Sequence, residues 1–277
     1  MILVTGATGT VGRSAVDLLL EAGQEVLAGT RDPGRAGFPE GVRPVAGEVA
    51  GLKADLAGVS GILVSPRAVG RDLPELLALA AEHGVARVVL LSAATVVHPA
   101  GRPEFAAAFR AAEEAVRASG ADWTLLRCAD FAANALAWAP QVRSTGVVRG
   151  AYGGAATSPI HERDLAEVAV RALLAPGHAG QAYLLTGPQS LTQRDKARIL
   201  GQALGRELPF EELPPERVRQ AMLAQGLAEE IPERLLGSLA DHARQPGPTT
   251  DTVERLLGRP ALTFAAWAAE HAAAFRG

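Results

Sequence analysis

Apolar positions follow two rhythms through the first two thirds of the chain. Short unbroken apolar runs alternate with longer segments in which apolar residues recur every three or four positions. Ile2–Thr5, Glu25–Gly29, Val42–Ala46, Ile62–Ser65, Ala86–Leu91 and Trp123–Arg127 read as strands. Ala86–Leu91 is almost wholly apolar, as a strand covered on both faces must be. Val11–Ala22, Leu73–His83 and Glu104–Ala118 read as helices. Val11, Ala15, Leu18, Leu19 and Ala22 share one face of the first helix, and Gly23 stops it. Pro74 lies in the first turn of the second and Gly84 follows its end. This strand–helix alternation predicts a parallel sheet with helices on both faces.

Beyond residue 140 the rhythm changes. Gly146-Val147-Val148 and Gly150–Ala156 read as irregular strand and loop. A helix is expected to open at Asp164, with Glu167 closing a capping box, and a strand at Gln181–Thr186. Thr192 and Asp195 form a second expected cap. Helices are then expected over Pro215–Gln225, Pro232–Ala243, Thr252–Leu257 and Ala261–Phe275, with no further strand. The fold class that follows is α/β: a Rossmann-type doubly wound parallel sheet with a smaller, mainly helical C-terminal substrate lobe. The expected nucleotide-binding domain is 1–140, with strands returning from about 145–187, and the helical lobe is 188–277.

The glycine pattern between the first strand and first helix adds chemistry. Gly6-Ala7-Thr8-Gly9-Thr10-Val11-Gly12 has the form G-x-x-G-x-x-G. Gly6 permits a tight exit from the strand, Gly9 a close backbone approach to a pyrophosphate, and Gly12 close helix–strand packing. The diphosphate of a dinucleotide would rest on the helix amides. Where the second strand ends the chain reads Thr30-Arg31-Asp32-Pro33. Arg31 suits the 2′-phosphate of NADP(H) through its planar fork, whereas Asp32 would suit a free ribose hydroxyl. The reading favours NADP(H).

Composition narrows the partners. Among 277 residues the formal net charge is -3 and no basic stripe is present, which argues against nucleic acid. Cys128 is the only cysteine, so neither a disulfide nor a multi-cysteine metal site can form within the chain, and no metal is expected. No apolar stretch is long enough to span a bilayer, and Met1 leads into a strand-like run rather than a secretion signal. These features predict a cytoplasmic protein without membrane contact.

Taken in order, several segments resemble the NmrA-like branch of the atypical short-chain dehydrogenases/reductases. They are Val4–Gly9 with Gly12, Arg31-Asp32-Pro33, Leu91-Ser92-Ala93, Ser119–Arg127, Ile160 to Asp164, Tyr183–Pro188 and Gly258-Arg259-Pro260. The resemblance covers nearly the whole chain. It implies that Thr8, Gly9, Thr10 and Val11 line the phosphates and that Arg31 meets the 2′-phosphate. Gly47-Glu48 would lie near the adenine, with Glu48 replacing the family's Asp. Ser65 and Ser92 would flank the nicotinamide, and Ile160 and His161 would face the substrate. Nearest in kind are NAD(P)H:quinone reductases and tailoring reductases of natural products, and the family also holds dinucleotide-sensing regulators. A homodimer is compatible with this reading.

The superfamily's usual Tyr-x-x-x-Lys pair is missing. Tyr152 and Tyr183 are followed four residues later by Ala156 and Gly187, and no lysine lies between Lys53 and Lys196. A quinone or conjugated carbonyl can still accept hydride, because it spreads the arriving charge. Ser92 and His161 are the candidate catalytic residues, with His98 and Arg110 as further polar candidates. Glu113 and Glu114 are expected on a solvated helix face, and Cys128 as a buried apolar group. The reading is thus an NADPH-dependent reductase of a quinone-like or conjugated small molecule, with aromatic natural products among the candidates. The alternatives are a non-catalytic NADP(H) sensor or an enzyme using bound cofactor for dehydration or isomerisation.

Overall fold

The computed structural model describes residues 1–47, 49–52 and 55–276. In chain order the elements are β1 (Ile2–Thr5), α1 (Thr10–Glu21), β2 (Val26–Thr30), β3 (Val42–Ala46), α2 (Val49–Leu52), β4 (Gly61–Val64) and α3 (Pro66–Val69). Next come α4 (Leu73–Glu82), β5 (Arg87–Ala93), α5 (Pro103–Ala118), β6 (Asp122–Cys128), α6 (Ala139–Thr145), β7 (Val148–Gly150) and β8 (Ala156–Thr157). Then follow α7 (Glu162–Leu174), β9 (Gln181–Leu185), β10 (Leu191–Thr192), α8 (Gln193–Leu204) and β11 (Phe210–Glu212). The chain finishes with α9 (Pro215–Ala224), α10 (Glu230–Arg244), α11 (Thr252–Leu257) and α12 (Phe264–Glu270). These residues form two compact units.

The first unit comprises Met1–Ala93, Ala108–Cys128 and Glu162–Leu184. Its sheet has the order β3-β2-β1-β4-β5-β6-β9, and every pairing from β3 to β6 is parallel. Strand order reverses between β1 and β4, the switch point at which open α/β sheets bind ligands. Alternating side chains divide the sheet into two faces. Leu3, Leu27, Ile62, Val64, Val88, Leu90 and Leu125 pack with Leu76 and Ala80 of α4 and Val116 of α5. The other face is covered by α1 and α7, which lie against one another. Doubly wound packing follows from these two apolar faces.

The second unit comprises Ala94–Ala107, Ala129–His161 and Leu185–Gly277. Its core gathers Ala132, Ala135 and Val142 with Val148, Leu200, Phe264, Trp267 and Phe275. Trp267 is fully buried and stacks on Phe264, with ring centroids 5.3 Å apart. This grouping differs from a boundary near residue 140. The residues after β6 turn their small apolar side chains into the core that also holds Trp267, so 129–161 belongs with the C-terminal segments. Only α7 and β9 return to the first unit.

Three local expectations are corrected. The C-terminal segment contains strands, because β10 pairs antiparallel with β8 and β11 pairs parallel with β7. Both are too short to show an alternating pattern. Helix α7 opens at Glu162 rather than Asp164, and Asp164 is buried in its first turn. The terminal helix is shorter than expected: Thr263 caps α12 by accepting from the Ala266 amide at 3.1 Å, and a separate 3-10 turn spans Ala272–Phe275. By contrast, the capping box of Thr192 and Asp195 forms as its sequence predicts. No helix among the described residues is long and apolar enough to cross a membrane.

Candidate cofactor site

The glycine loop joins β1 to α1 at the switch point. Thr5, buried at the end of β1, ties the two diverging strands together. Its hydroxyl donates to the Leu63 carbonyl at 3.1 Å and accepts from the Ser65 amide at 2.7 Å. The chain then turns through Gly6 at φ +64°, a left-handed conformation suited to glycine. The Gly9 amide closes the turn on the Gly6 carbonyl at 2.9 Å. Gly9 is the N-cap of α1, with no side-chain cap and no acidic residue in the first turn. The helix amides therefore meet no competing carboxylate there.

Gly12 shows how tightly the loop is drawn against the helix. A Cβ at this position would overlap the Gly6 carbonyl oxygen and lie 2.9 Å from the Ala7 Cα. Thr8, Gly9 and Thr10 are exposed around this cradle, while the Val11 side chain is buried. Val11 can serve a phosphate only through its backbone amide. The Thr8 and Thr30 hydroxyls approach to 3.4 Å, linking the loop to the end of β2. A bare cradle of this kind fits the diphosphate of a dinucleotide.

Arg31 follows β2 directly and is exposed. Asp32 forms an exposed ion pair with Arg35 at 3.8 Å, so it has a cation partner of its own. Arg13 of α1 holds the next segment by donating to the Ala36 carbonyl at 2.8 Å, and its guanidinium lies over the Phe38 ring. Gly47 donates to the Thr30 carbonyl at 2.8 Å. Glu48, expected near the adenine, lies outside the described residues. The structure thus brings Gly6, Thr8, Gly9, Thr10, Gly12 and Ser65 to the ends of β1 and β4, with Arg31 at the end of β2.

Ser92 sits one residue before the end of β5, in register with Arg127 on β6. Its hydroxyl donates to Glu113 Oε1 at 2.6 Å. Arg127 grips the same carboxylate with two bonds, Nε to Oε1 at 2.9 Å and Nη2 to Oε2 at 2.7 Å. Arg117 adds a longer contact to Oε2 at 3.5 Å. The Glu113 side chain is only 2% exposed, which corrects the expectation of a solvated face. Burial works against ionisation, but the Arg127 and Ser92 hydrogen bonds and the nearby cations outweigh it. Glu113 is held below the ordinary carboxylate range. Glu113 stands beside Glu114 in the sequence like a surface acid, and its partners lie on other elements. One signal was present: Arg127 near the end of a buried strand requires a partner.

The remaining candidates divide between the units. Ser92 belongs to the first and His161 to the second. His161 is buried, with Nε2 at 3.3 Å from Glu270. His98 and Arg110 are exposed. Burial pushes the Cys128 thiol up, so it is an inert packing group rather than a nucleophile. Tyr183 is engaged with His178 Nδ1 at 2.9 Å. In the second unit, buried Lys196 donates to Asp130 at 3.0 Å and to Thr157 at 3.1 Å, and Asn134 donates to Asp130 at 2.7 Å. A cavity of about 240 Å³ lies in the first unit beside Leu77, Val85 and Gly120, residues that flank the amino ends of β5 and β6. That is the end of the sheet opposite the loop.

A family model described as NAD(P)H-binding matches residues 6–176. The chain is 40% identical to a (4-alkanoyl-5-oxo-2,5-dihydrofuran-3-yl)methyl phosphate reductase of Streptomyces griseus, covering 99% of each. It is 35% identical to an NAD(P)H azoreductase of Xenophilus azovorans, again over 99% of each. The NADPH complex of an Escherichia coli quinone oxidoreductase superposes with a TM-score of 0.83 at 26% identity, covering 98% of this chain and 99% of that one. Together with the bare cradle on α1, these likenesses show that the chain belongs to the NAD(P)H-binding family, within the NmrA-like atypical short-chain dehydrogenases/reductases.

Proposed function

We propose that this protein is an NADPH-dependent reductase of a small, electron-poor conjugated acceptor, either a quinone or an α,β-unsaturated carbonyl compound. The observation that carries the reading is the unobstructed N-terminus of α1, closed on Gly6 and Gly12 and flanked by Arg31. When bound there, NADPH supplies a hydride. Gly6 to Gly12 would hold the diphosphate through main-chain amides, and Arg31 would hold the 2′-phosphate with its fork. Because Asp32 is paired with Arg35, it opposes that phosphate less than a lone carboxylate would.

The acceptor class follows from the missing acid. Neither Tyr152 nor Tyr183 has a lysine four residues on. The substrate must therefore delocalise negative charge and take its proton from water. Quinones and conjugated lactones do so, and isolated ketones do not. The relatives named above reduce a dihydrofuranone phosphate, azo compounds and quinones by their names, and these share conjugated, polarised double bonds. His161 is proposed as a substrate-side residue of the second unit, where its Nε2 lies 3.3 Å from Glu270.

The test is loss of reduced-nicotinamide absorbance with a panel containing benzoquinone, a naphthoquinone, an alkanoyl butenolide phosphate, an azo dye and cyclohexanone. Turnover of one or more conjugated acceptors, with cyclohexanone inert, is the expected result. Reduction of cyclohexanone alone, or of nothing, overturns the assignment.

A further inference from the structure

Ser92 is a candidate catalytic hydroxyl by its sequence, yet its hydrogen is already committed. A hydroxyl has one hydrogen and two lone pairs. In Ser92 that hydrogen points at Glu113, 2.6 Å away. The carboxylate cannot reverse the bond, because Arg127 keeps it charged through two further bonds and an ionised carboxylate only accepts. Three elements fix the arrangement: Ser92 on β5, Arg127 beside it on β6, and Glu113 on α5. Strand alternation places Ser92 and Arg127 on the face that α5 covers, along with Leu90 and Leu125. Only the lone pairs of Ser92 remain for a ligand.

We propose that Glu113 and Arg127 are positioning residues that lock the Ser92 hydroxyl inward, so that Ser92 meets a hydrogen-bond donor at the nicotinamide end of the cofactor as an acceptor only and delivers no proton to the substrate. The carboxyl edge of β4 and β5, beyond the switch point, is where that end of a dinucleotide reaches. The donors available there are the carboxamide N–H and the ribose hydroxyls. The network therefore explains how a buried serine at this edge can take part without a tyrosine or lysine partner. It makes Ser92 a fixture for cofactor orientation. The inference rests on the NADPH reading above, but its primary test needs no turnover.

The experiment is calorimetric titration of the full chain with NADPH. Ser92→Ala removes the acceptor and leaves the Glu113–Arg127 pair intact; its Kd should rise about fivefold to tenfold, the equivalent of one neutral hydrogen bond. Ser92→Thr keeps the hydroxyl and should stay within about twofold of the parent. Glu113→Gln presents an amide that can donate to Ser92 and turn its hydroxyl around. It should weaken NADPH about as much as Ser92→Ala does, and the double variant should be no worse than either single one. Additive losses would mean that Glu113 acts on NADPH independently of Ser92, and they overturn the proposal. So does an unchanged Kd for Ser92→Ala. If Glu113→Gln does not fold, the two serine variants decide.

The second readout is turnover at saturating NADPH with the best quinone of the panel. Ser92→Ala should lower kcat by up to about tenfold, as the nicotinamide loses an orienting contact, while the pH profile of kcat keeps the parent's shape. Loss of a proton donor would lower kcat by about a hundredfold or more and would overturn the assignment. If the parent reduces no acceptor while the binding results hold, the reductase reading fails and the positioning role stands.

Discussion

The Gly6–Gly12 loop and the Ser92–Glu113–Arg127 network occupy the same edge of one sheet but are made of opposite materials. The loop works by lacking side chains. Its shape comes from the left-handed Gly6, the bare N-cap Gly9 and a Gly12 with no room for a Cβ. All its parts lie within seven consecutive residues. The network works entirely through side chains, drawn from β5, α5 and β6: a buried Ser92 hydroxyl and a charged pair of buried Glu113 and half-buried Arg127. Main-chain chemistry is thus written locally and is intolerant of added volume. Side-chain chemistry is assembled over distance and is intolerant of lost charge.

That contrast orders the expected effects of breaking each part. The largest belongs to Arg127→Ala, which strands a buried carboxylate. Leaving one member of a buried ion pair alone costs about 3–5 kcal/mol, and urea denaturation at neutral pH should show a loss of that order. A loss below about 1 kcal/mol would mean that Arg117, 3.5 Å away, takes over the pairing.

Gly12→Ala comes next. The added methyl must displace the Gly6 carbonyl, so stability should fall by about 1–3 kcal/mol. NADPH affinity should fall with it, because the same carbonyl shapes the cradle. Normal calorimetric affinity in a folded Gly12→Ala protein would separate the loop's packing from its binding. Arg31→Ala is milder and selective. It should weaken NADPH about tenfold or more while moving NADH less than about twofold. Equal losses for both nucleotides would remove Arg31 from the 2′-phosphate.

The smallest effect sharpens the charged side of the comparison. Glu113 and Asp130 are both held below their ordinary values, Asp130 because Lys196 and its hydrogen-bond donors overcome burial. A carboxylate with a lowered folded-state pKa stabilises the fold above its unfolded-state pKa. That stabilisation is lost as pH falls through the folded-state value. Denaturation midpoints should therefore hold steady down to about pH 5 and decline below it. A folded Glu113→Gln protein should decline less steeply, and an unchanged slope would mean that Glu113 has no lowered pKa.

Much of the first unit was legible because its causes are local. The apolar run Ile2-Leu3-Val4, the glycine spacing and Gly23 predict β1, the loop and α1 to within a residue or two. Val42–Ala46 was readable for the same reason. Misreadings fall where long-range contacts decide. Leu191-Thr192 and Phe210–Glu212 become strands because β8 and β7 lie beside them, not because of their own pattern. Glu113 looks like any helix-surface acid until Arg127 is brought beside it. The capping box at Thr192 needed only its own four residues and was foreseen.

By itself, the sequence determined the alternation of strands and helices, the phosphate cradle, the cation after β2 and the absence of a Tyr-Lys pair. Each depends on residues near one another in the chain, where backbone preference and hydrophobic period act directly. Only the tertiary structure decided that 129–161 joins the C-terminal segments, that Lys196 is buried on Asp130, and that the Ser92 hydroxyl donates to Glu113. These outcomes depend on which distant groups share a low-dielectric interior. There a charge must find its counterpart, and no local pattern records which one it will be.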